Sequence, residues 1–266
     1  MILGDHTIYY GDFFETYFKV PKHSVDLVVT DPPYGLFKPK QSWDALIDFY
    51  RFAGILRERV KLTGTVAVFC SPRMLKDIRI CFELYFKYRF MEVWEKPSAM
   101  AKPKDRPKPN IEIVCVFDGK KAKKDDHVYN WKDVAEVKEP YRRVNRNRQN
   151  TTMITPKREV DENPTGHRHP SSVLYLPNRP AMTRQEKEGV THPQQKSLFG
   201  TERLIRLLSN PGDVILDAFM GSGTAVVATA RCGRVGLGFE KELRFFNQAK
   251  SRLERELEED HVPVTP

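Results

Sequence analysis

SVDLVVTDPPYG, residues 24–35, joins an apolar, β-branched run to an acid, two prolines and a tyrosine. The run Val25–Thr30 predicts a buried strand, because it lacks the polar alternation of a strand with one wet face. The strand ends on Asp31. The two prolines that come next are compatible with neither a helix interior nor the hydrogen-bond ladder of a sheet. Tyr34 then offers a flat aromatic face. Such a corner is either functional or an ordinary turn, since Pro and Asp are common turn residues.

Further apolar runs alternate with stretches of helical spacing. The predicted strands are Val25–Thr30, Gly64–Cys70, 90–96, Ile111–Phe117, 213–219 and 234–240, and helical spacing covers 44–60, 74–85, 198–209, 221–232 and 243–259. The first of these helical stretches places Leu46, Ile47, Tyr50, Ala53, Ile55 and Leu56 on one broad face. This alternation predicts an α/β fold with a doubly wound, mostly parallel sheet and helices on its faces.

The pattern breaks between Asp118 and about Val190, where the chain is polar, basic and rich in Pro, Asn and Arg. Only SVLYLP, residues 172–177, has the composition of a strand there. A segment this long is not an ordinary loop, so we predict either a functional insertion or a partly disordered segment. The chain is accordingly divided into residues 1–117, the insertion 118–190, and residues 191–266.

Charge and composition narrow the class of protein. The 266 residues carry a formal net charge of +9, which favours a polyanionic partner. Six basic residues without an acid lie between residues 141 and 158, namely Arg142, Arg143, Arg146, Arg148, Lys157 and Arg158. A solvated, disordered loop is the alternative for this run. No apolar run approaches membrane-spanning length and no secretory signal is visible, so we expect a cytoplasmic protein without a membrane partner.

Four separated cysteines, Cys70, Cys81, Cys115 and Cys232, form no C-x-x-C pair. We therefore expect neither a disulfide framework nor a zinc site, and predict reduced, buried thiols.

A second corner lies near the C-terminus, where DVILDAF runs into MGSGT and then into a helical stretch. Gly221 and Gly223 permit positive φ and close approach of a ligand to the free N–H groups of the helix start. Glu240, which ends the next predicted strand, is placed to accept hydrogen bonds from ribose hydroxyls. Val226 stands where the dinucleotide fingerprint needs a third glycine, and a phosphate loop is absent. The turn therefore predicts a nucleoside cofactor, or else a tight corner that binds nothing.

The two corners belong together if their strands are neighbours, because ligands bind at the carboxyl ends of strands in a doubly wound sheet. Asp31 and the Pro32 carbonyl could then accept hydrogen bonds from both N–H groups of an exocyclic amine and localise its lone pair. Pro33, like Pro32, fixes φ and removes an N–H donor. Tyr34 could stack on the base, which must leave the duplex to reach such a pocket. This chemistry suits methyl transfer from a sulfonium to nitrogen.

With these two corners, the sequence resembles the β class of S-adenosylmethionine-dependent DNA amino-methyltransferases. In that class the catalytic motif comes first, the target-recognition region follows, and the cofactor motif is last. The segments that carry the resemblance are YYGD, SVDLVVTDPPYG, SWD, GTVAVFCS, WEKP, HPSSVLYLP, THPQQKSL, LDAFMGSGT and GFEKELRFFNQAKSRL, about two thirds of the chain. The resemblance implies a Rossmann-like methyltransferase fold with a circularly permuted motif order. It departs from the family at Ser197, where proline is usual, so that loop is less rigid.

The resemblance also implies roles. Asp31, Pro32, Pro33 and Tyr34 would hold and stack the target base. Asp12 would reach the cofactor's adenine amine, and Lys196 would pair with the cofactor's carboxylate. The cofactor site would be completed by Asp31, Asp217, Phe219, Gly221, Ser222, Gly223, Thr224 and Glu240, and S-adenosyl-L-homocysteine would be the product. No metal site is implied.

For the substrate, DPPY rather than SPPY favours adenine N6 over cytosine N4 within the family. The alternatives left open are a cytosine-N4 enzyme, an RNA methyltransferase and a cofactor- and DNA-binding subunit without turnover. A nicotinamide-dependent dehydrogenase is disfavoured by the missing third glycine. The expected partner is double-stranded DNA, contacted by the six basic residues of the insertion. The resemblance leaves open a homodimer, a cognate restriction endonuclease, and a bacterial or phage origin.

Overall fold

The computed structural model describes residues 1–35, 46–96, 104–105, 107, 110–144, 160–176 and 195–259. Within these residues a nine-stranded sheet forms the centre of the molecule. Its strands, in spatial order, are β1 (Ile2–Leu3), β2 (His6–Tyr10), β13 (Val235–Glu240), β12 (Val214–Asp217), β3 (Val25–Thr30), β4 (Val60–Cys70), β6 (Ile111–Gly119), β5 (Phe86–Glu95) and β11 (Val173–Tyr175). The helices are α1 (Phe13–Thr16), α2 (Phe49–Arg59), α3 (Leu75–Glu83), α4 (Leu198–Leu208), α5 (Thr224–Arg231) and α6 (Leu243–Glu259).

The sheet is mostly parallel, as the sequence predicts. Seven of its nine strands run in one direction, and two are reversed: the edge strand β1, and β6, which lies antiparallel between β4 and β5. Because β6 is reversed, its first residues lie at the edge where its neighbours end. That edge is called the carboxyl edge below.

The two predicted corners lie on neighbouring strands. β3 pairs with β12 in parallel, with Leu27 opposite Ile215 and Val28 opposite Leu216. From β3 the chain passes through α2 to β4 on one side, and from β12 it passes through α5 to β13 on the other. The boundary between β3 and β12 is therefore a switch point, where doubly wound sheets open a crevice.

Both faces of the sheet are covered. On one face Val28 packs in a cluster with Phe52 of α2 and Phe82 of α3, whereas on the other Val29 packs in a cluster with Leu204 of α4 and Ala228 of α5. Successive residues of β3 thus enter opposite cores, which explains its unbroken apolar run. A third cluster joins β2 to α6, where apolar residues at helical spacing include Phe246, Ala249 and Leu253.

Several predicted boundaries differ from the structure. The helix expected over 44–60 begins at Phe49, because the Asp48 side chain accepts a hydrogen bond from the Arg51 N–H at 3.0 Å and caps it. Leu46 and Ile47 precede the helix, and Tyr50 is exposed rather than on the buried face. β4 begins at Val60 instead of Gly64, directly after α2.

The insertion contains short strands that the sequence does not predict. β7 (Glu136–Val137) pairs with β10 (His167–Arg168), and β8 (Tyr141–Val144) pairs with β9 (Val160–Asn163), each antiparallel and outside the main sheet. The predicted strand near Val173 is confirmed as β11. The Asn130 side chain ties the insertion to the end of α4 through a 2.9 Å hydrogen bond to the Ser209 carbonyl.

The division at residues 117 and 190 stays a prediction. The parts before and after the insertion both contribute strands to one sheet. All four cysteines are free and buried, which confirms the expectation of buried thiols outside disulfides. Among the described residues, no helix has the length and apolar character needed to cross a bilayer.

Candidate active site

A pocket opens at the carboxyl edge, across the switch point between β3 and β12. Its lining includes these residues singled out by the sequence: Asp12, Asp31, Pro32, Pro33, Tyr34, Lys196, Asp217, Phe219, Gly221, Ser222, Thr224 and Glu240. The structure therefore brings the DPPY corner and the glycine turn into one cavity, as expected. The role of each residue stays a prediction.

Asp31 is the carboxylate of the first corner, and both its oxygens are held. The Tyr34 hydroxyl donates to Asp31 Oδ1 at 2.6 Å, and Lys196 Nζ lies 2.8 Å from Oδ2. The side chain keeps 24% of its surface exposed, and this surface lines the pocket. Because each carboxylate oxygen has two acceptor positions, Asp31 can still accept a hydrogen bond from a ligand.

Burial raises the pKa of Asp31 above its usual value, and the Glu112 charge adds to the rise against the Lys196 ammonium. Burial also raises the pKa of the Tyr34 hydroxyl well above its usual value, with the Asp31 carboxylate as a further cause. Tyr34 therefore keeps its proton and donates a hydrogen bond to Asp31. The first corner thus supplies a carboxylate whose orientation is fixed from two sides, by Tyr34 and by Lys196.

Lys196 is buried just before α4, and burial opposes its charge. The carboxylates of Asp31 and Glu112 outweigh burial and hold the pKa of Lys196 above its usual value. Its ammonium also lies 5.3 Å from the centre of the Phe69 ring and 5.5 Å from that of Tyr34. The resemblance assigns Lys196 to a cofactor carboxylate, whereas in this structure its partners are two carboxylates of the chain.

Glu112 is a site residue that the sequence analysis misses. It is the second residue of the reversed strand β6, and its Oε1 lies 3.2 Å from Lys196 Nζ and 2.9 Å from Lys96 Nζ. Burial disfavours its charge, but Lys196 and Lys96 outweigh burial and lower the pKa of Glu112. An acid at the start of a buried strand was the available signal. It gained meaning only with the direction of β6.

The glycine turn has the predicted conformation. Gly221 and Gly223 have φ of 52° and 84°, which favours glycine at both positions. A Cβ on Gly223 would lie 2.8 Å from that of Ala249 on α6, so this glycine also permits close packing. Gly223 is not among the residues that line the pocket, whereas Gly221 is. The turn ends at Thr224, where α5 begins with the unpaired N–H groups of a helix start.

Glu240 is locked onto the turn. Its Oε2 accepts from the Gly221 N–H at 2.9 Å, and its Oε1 accepts from the Glu242 N–H at 2.7 Å. Burial raises the pKa of Glu240 above its usual value. Asp12 lines the same end of the pocket and caps α1 by accepting from the Phe14 N–H at 2.8 Å. Both carboxylates retain acceptor positions beyond these bonds.

Asp217 ends β12 beneath the pocket and is buried. Its Oδ1 accepts from the Thr30 hydroxyl at 2.9 Å and from the Phe219 N–H at 3.0 Å. Burial raises the pKa of Asp217 to about 7, since two hydrogen bonds only partly replace its hydration. This carboxyl group therefore titrates near neutrality.

Two further features of the lining come from the structure. Gln195 lines the pocket, and its amide nitrogen is enclosed without a hydrogen-bond partner among the described residues. The turn is also braced from outside, because Arg252 of α6 donates to the Ser222 carbonyl at 2.7 Å and lies 3.2 Å from the Thr224 hydroxyl. Neither feature follows a local sequence pattern.

The predicted DNA-binding residues are placed in part. Arg142 and Arg143 lie on β8, away from the main sheet. The Arg142 side chain is exposed and pairs with Glu162 of β9 at 2.7 Å. The other four, Arg146, Arg148, Lys157 and Arg158, lie outside the described residues.

Several known proteins are similar to this chain in sequence or in structure. The Type II methyltransferase M1.MboII of Moraxella bovis is 28% identical over 241 residues, covering 87% of this chain and 90% of that protein. The crystal structure of the M1.HpyAVI–SAM complex has a TM-score of 0.60 at 26% identity and covers 93% of this chain and 99% of that one. The cytosine-N4-specific PvuII DNA methyltransferase has a TM-score of 0.67 at 19% identity, covering 95% and 90%, and shows a shared fold.

The sequence model of the N6/N4 methyltransferase family, described as DNA methylase, matches residues 25–251. The match spans β3 through most of α6 and so includes both corners of the pocket. These findings confirm the Rossmann-like methyltransferase fold and the family that the motifs indicate. The chain belongs to the N6/N4 DNA methylase family.

Proposed function

We propose that this chain transfers a methyl group from S-adenosylmethionine to the N6 amine of an adenine flipped out of double-stranded DNA. The observation that carries the proposal is the Asp31 carboxylate, oriented by Tyr34 and Lys196, in the same pocket as the glycine turn. Membership of the family supports methylation of an amine in DNA. The choice of adenine, rather than cytosine, as the target base is part of our proposal.

The residues of the pocket fit S-adenosylmethionine. Asp12 and Glu240 keep acceptor positions for an adenine amine and ribose hydroxyls, and aromatic rings stand beside them in the lining. Lys196 and the amide nitrogen of Gln195, which has no hydrogen-bond partner within the part of the chain that the structure describes, are donors suited to a carboxylate. The cofactor supplies, when bound, a methyl group on a positively charged sulfur.

The chain's own contribution is to prepare the target amine. The lone pair of an exocyclic amine is delocalised into the ring, which makes the nitrogen a poor nucleophile. Asp31 and the Pro32 carbonyl would accept hydrogen bonds from its two N–H groups and favour a tetrahedral nitrogen with a localised lone pair. Tyr34 would contribute its ring to the base while its hydroxyl fixes Asp31. Catalysis would then depend on positioning.

The choice of adenine depends on residue 31. Aspartate before PPY favours adenine N6, as the resemblance implies, whereas a cytosine-N4 enzyme is the second candidate function. Both bases present an amine next to a ring-nitrogen acceptor, so the pocket's donors and acceptors suit either. The shared fold of the cytosine-N4-specific PvuII enzyme keeps this alternative in the test.

The test is methylation of plasmid DNA by the purified protein with S-adenosylmethionine, followed by digestion to nucleosides and mass spectrometry. N6-methyladenine is the expected product. N4-methylcytosine alone would establish the second candidate, and cofactor binding without any methylated base would indicate a subunit without turnover. Matched duplex, single-stranded DNA and RNA substrates at one salt concentration separate the nucleic-acid classes.

The remaining partners are also proposals. The basic run of the insertion would contact phosphates or the guanine O6/N7 edge. A cytoplasmic location, a homodimer and a cognate restriction endonuclease stay predictions. Sequencing that detects modified bases in DNA from cells expressing the protein would give the base and the recognised sequence together.

A further inference from the structure

Four charged side chains form a continuous row at the carboxyl edge. Lys96 follows β5, Glu112 is the second residue of β6, Lys196 precedes α4 and Asp31 follows β3. Successive charged atoms lie 2.9, 3.2 and 2.8 Å apart, and the signs alternate along the row. The row ends in the pocket at Asp31, where the Tyr34 hydroxyl contacts the other carboxylate oxygen.

The two central members are largely withdrawn from water. The side chains of Lys196 and Glu112 are 8% and 15% exposed, whereas that of Lys96 is 38% exposed. Charges in such surroundings interact strongly, because little water screens them. Lys196 is therefore shared between two carboxylates. Without the Glu112 charge it would stand against Asp31 alone.

This sharing matters for the function proposed above, on which the inference rests. Asp31 must accept a hydrogen bond from an amine that is a weak donor. A lysine that neutralises Asp31 fully would weaken it as an acceptor, and a lysine free to move would not orient it. Glu112 opposes both effects, since it contacts the same ammonium at 3.2 Å.

We propose that Glu112 is a positioning residue for methyl transfer, which shares Lys196 with Asp31 and thereby keeps the Asp31 carboxylate both oriented and strong as a hydrogen-bond acceptor. Glu112 does not line the pocket, so it acts through Lys196. Its position depends on the reversal of β6, which delivers the start of that strand to the carboxyl edge.

The charged and titratable groups around the row fix the sign of the expected effect. Asp31 faces Lys196, Tyr34 and Glu112, and it also interacts with Cys70 of β4 and Asp217 of β12. Glu112 faces Lys196 and Lys96. The Glu112 charge raises the pKa of Asp31, so its removal lowers that pKa.

The test compares Glu112→Gln with the parent protein. The kcat for DNA methylation falls about 10- to 100-fold, the loss expected when a reacting group is misplaced or weakened. The acidic limb of the pH profile of kcat/KM moves to lower pH, and the dissociation constant for S-adenosylmethionine stays within about threefold of the parent value, because Lys196 remains. Glu112→Asp, which keeps the charge, recovers part of the kcat and of the pH limb.

Glu92→Gln is the matched control. Glu92 is also a buried, ion-paired glutamate of this part of the sheet, but both its oxygens contact Arg203 of α4 and it does not line the pocket. Its substitution lowers thermal stability without moving the pH limb. A general effect of losing a buried ion pair would move both variants alike and would overturn the proposal.

A second measurement does not need turnover. A ¹³C NMR titration of the Asp31 carboxyl in the ligand-free protein reports its pKa directly, with Asp31→Asn for assignment. A lower pKa in Glu112→Gln supports the electrostatic link even if the parent methylates no adenine, in which case only the proposed function fails. An unchanged Asp31 titration, or parental kcat in Glu112→Gln, refutes the inference while leaving the proposed function intact.

Discussion

Asp217→Asn should stabilise the protein at neutral pH while weakening its cofactor site. Asp217 is buried beneath the glycine turn and accepts hydrogen bonds from the Thr30 hydroxyl and the Phe219 N–H. An asparagine has nearly the same shape, and its amide oxygen can accept both bonds. The substitution therefore removes the buried charge and leaves the local contacts in place.

The magnitude follows from the pKa of Asp217. The unfolded carboxyl ionises near 3.8, whereas burial raises the pKa of the folded one to about 7. As pH rises from about 4 to about 7 the unfolded chain loses this proton and the folded protein keeps it, so stability falls. At about 1.4 kcal/mol per pKa unit, the rise sets an upper limit of about 4 kcal/mol. Interaction with Asp31 and Glu240 titrating nearby lowers the expectation to about 2–4 kcal/mol.

The assay is urea denaturation of parent and variant at pH 4.0, 5.5 and 7.5. The free energies of unfolding should be close at pH 4.0 and diverge as the pH rises, with the variant more stable and the urea slopes equal. Titration with S-adenosylmethionine at pH 7.5 should show weaker binding by the variant, since Asp217 is a proposed cofactor residue. A constant difference at all three pH values, or a less stable variant at pH 7.5, would refute a buried carboxyl that titrates near neutrality.

Three further predictions concern the two corners and the insertion. Asp31→Ala should lower kcat for methylation at least about 10³-fold while calorimetry still detects S-adenosylmethionine binding; near-parental kcat would remove Asp31 from the chemistry. Gly223→Ala should lower the free energy of unfolding by about 2 kcal/mol, because its φ is 84° and a Cβ would lie 2.8 Å from Ala249; unchanged urea unfolding would contradict the strain. If all six basic residues of the insertion contact phosphates, a plot of log Kd for DNA against log salt concentration should have a slope of about 5. Arg142→Ala should lower that slope by less than one, because Arg142 already pairs with Glu162. A slope near zero would instead indicate that the basic run is a solvated loop.

The central strands could be predicted because their sequence signal is local. β3 and β12 are short apolar runs that end in an acid and a turn, and both faces of each strand are buried. The glycine turn could also be predicted from the sequence, since Gly221 and Gly223 occupy positions with positive φ. The convergence of the two corners then followed from the general rule for doubly wound sheets.

Features that depend on distant contacts could not be predicted. Glu112 entered the site because β6 runs antiparallel to its neighbours, and no residue in its own segment specifies that direction. The strand pairs β7–β10 and β8–β9 are short and carry few apolar residues, so their strands show no periodicity. The partners of Lys196 were missed for the same reason as Glu112, because resemblance assigns a role to a residue without its surroundings.

The described part of the insertion reaches the same edge of the sheet as the row of charges. β6 ends at Gly119 on the edge opposite the pocket, and from there the insertion crosses to the end of α4, where Asn130 is bound. Its described part then returns through β11, parallel to β5, and so reaches the carboxyl edge. The described chain resumes at Gln195 and Lys196, both in the pocket lining. Glu112 belongs to the sheet itself, and it provides the fixed point that holds this lysine in register with Asp31.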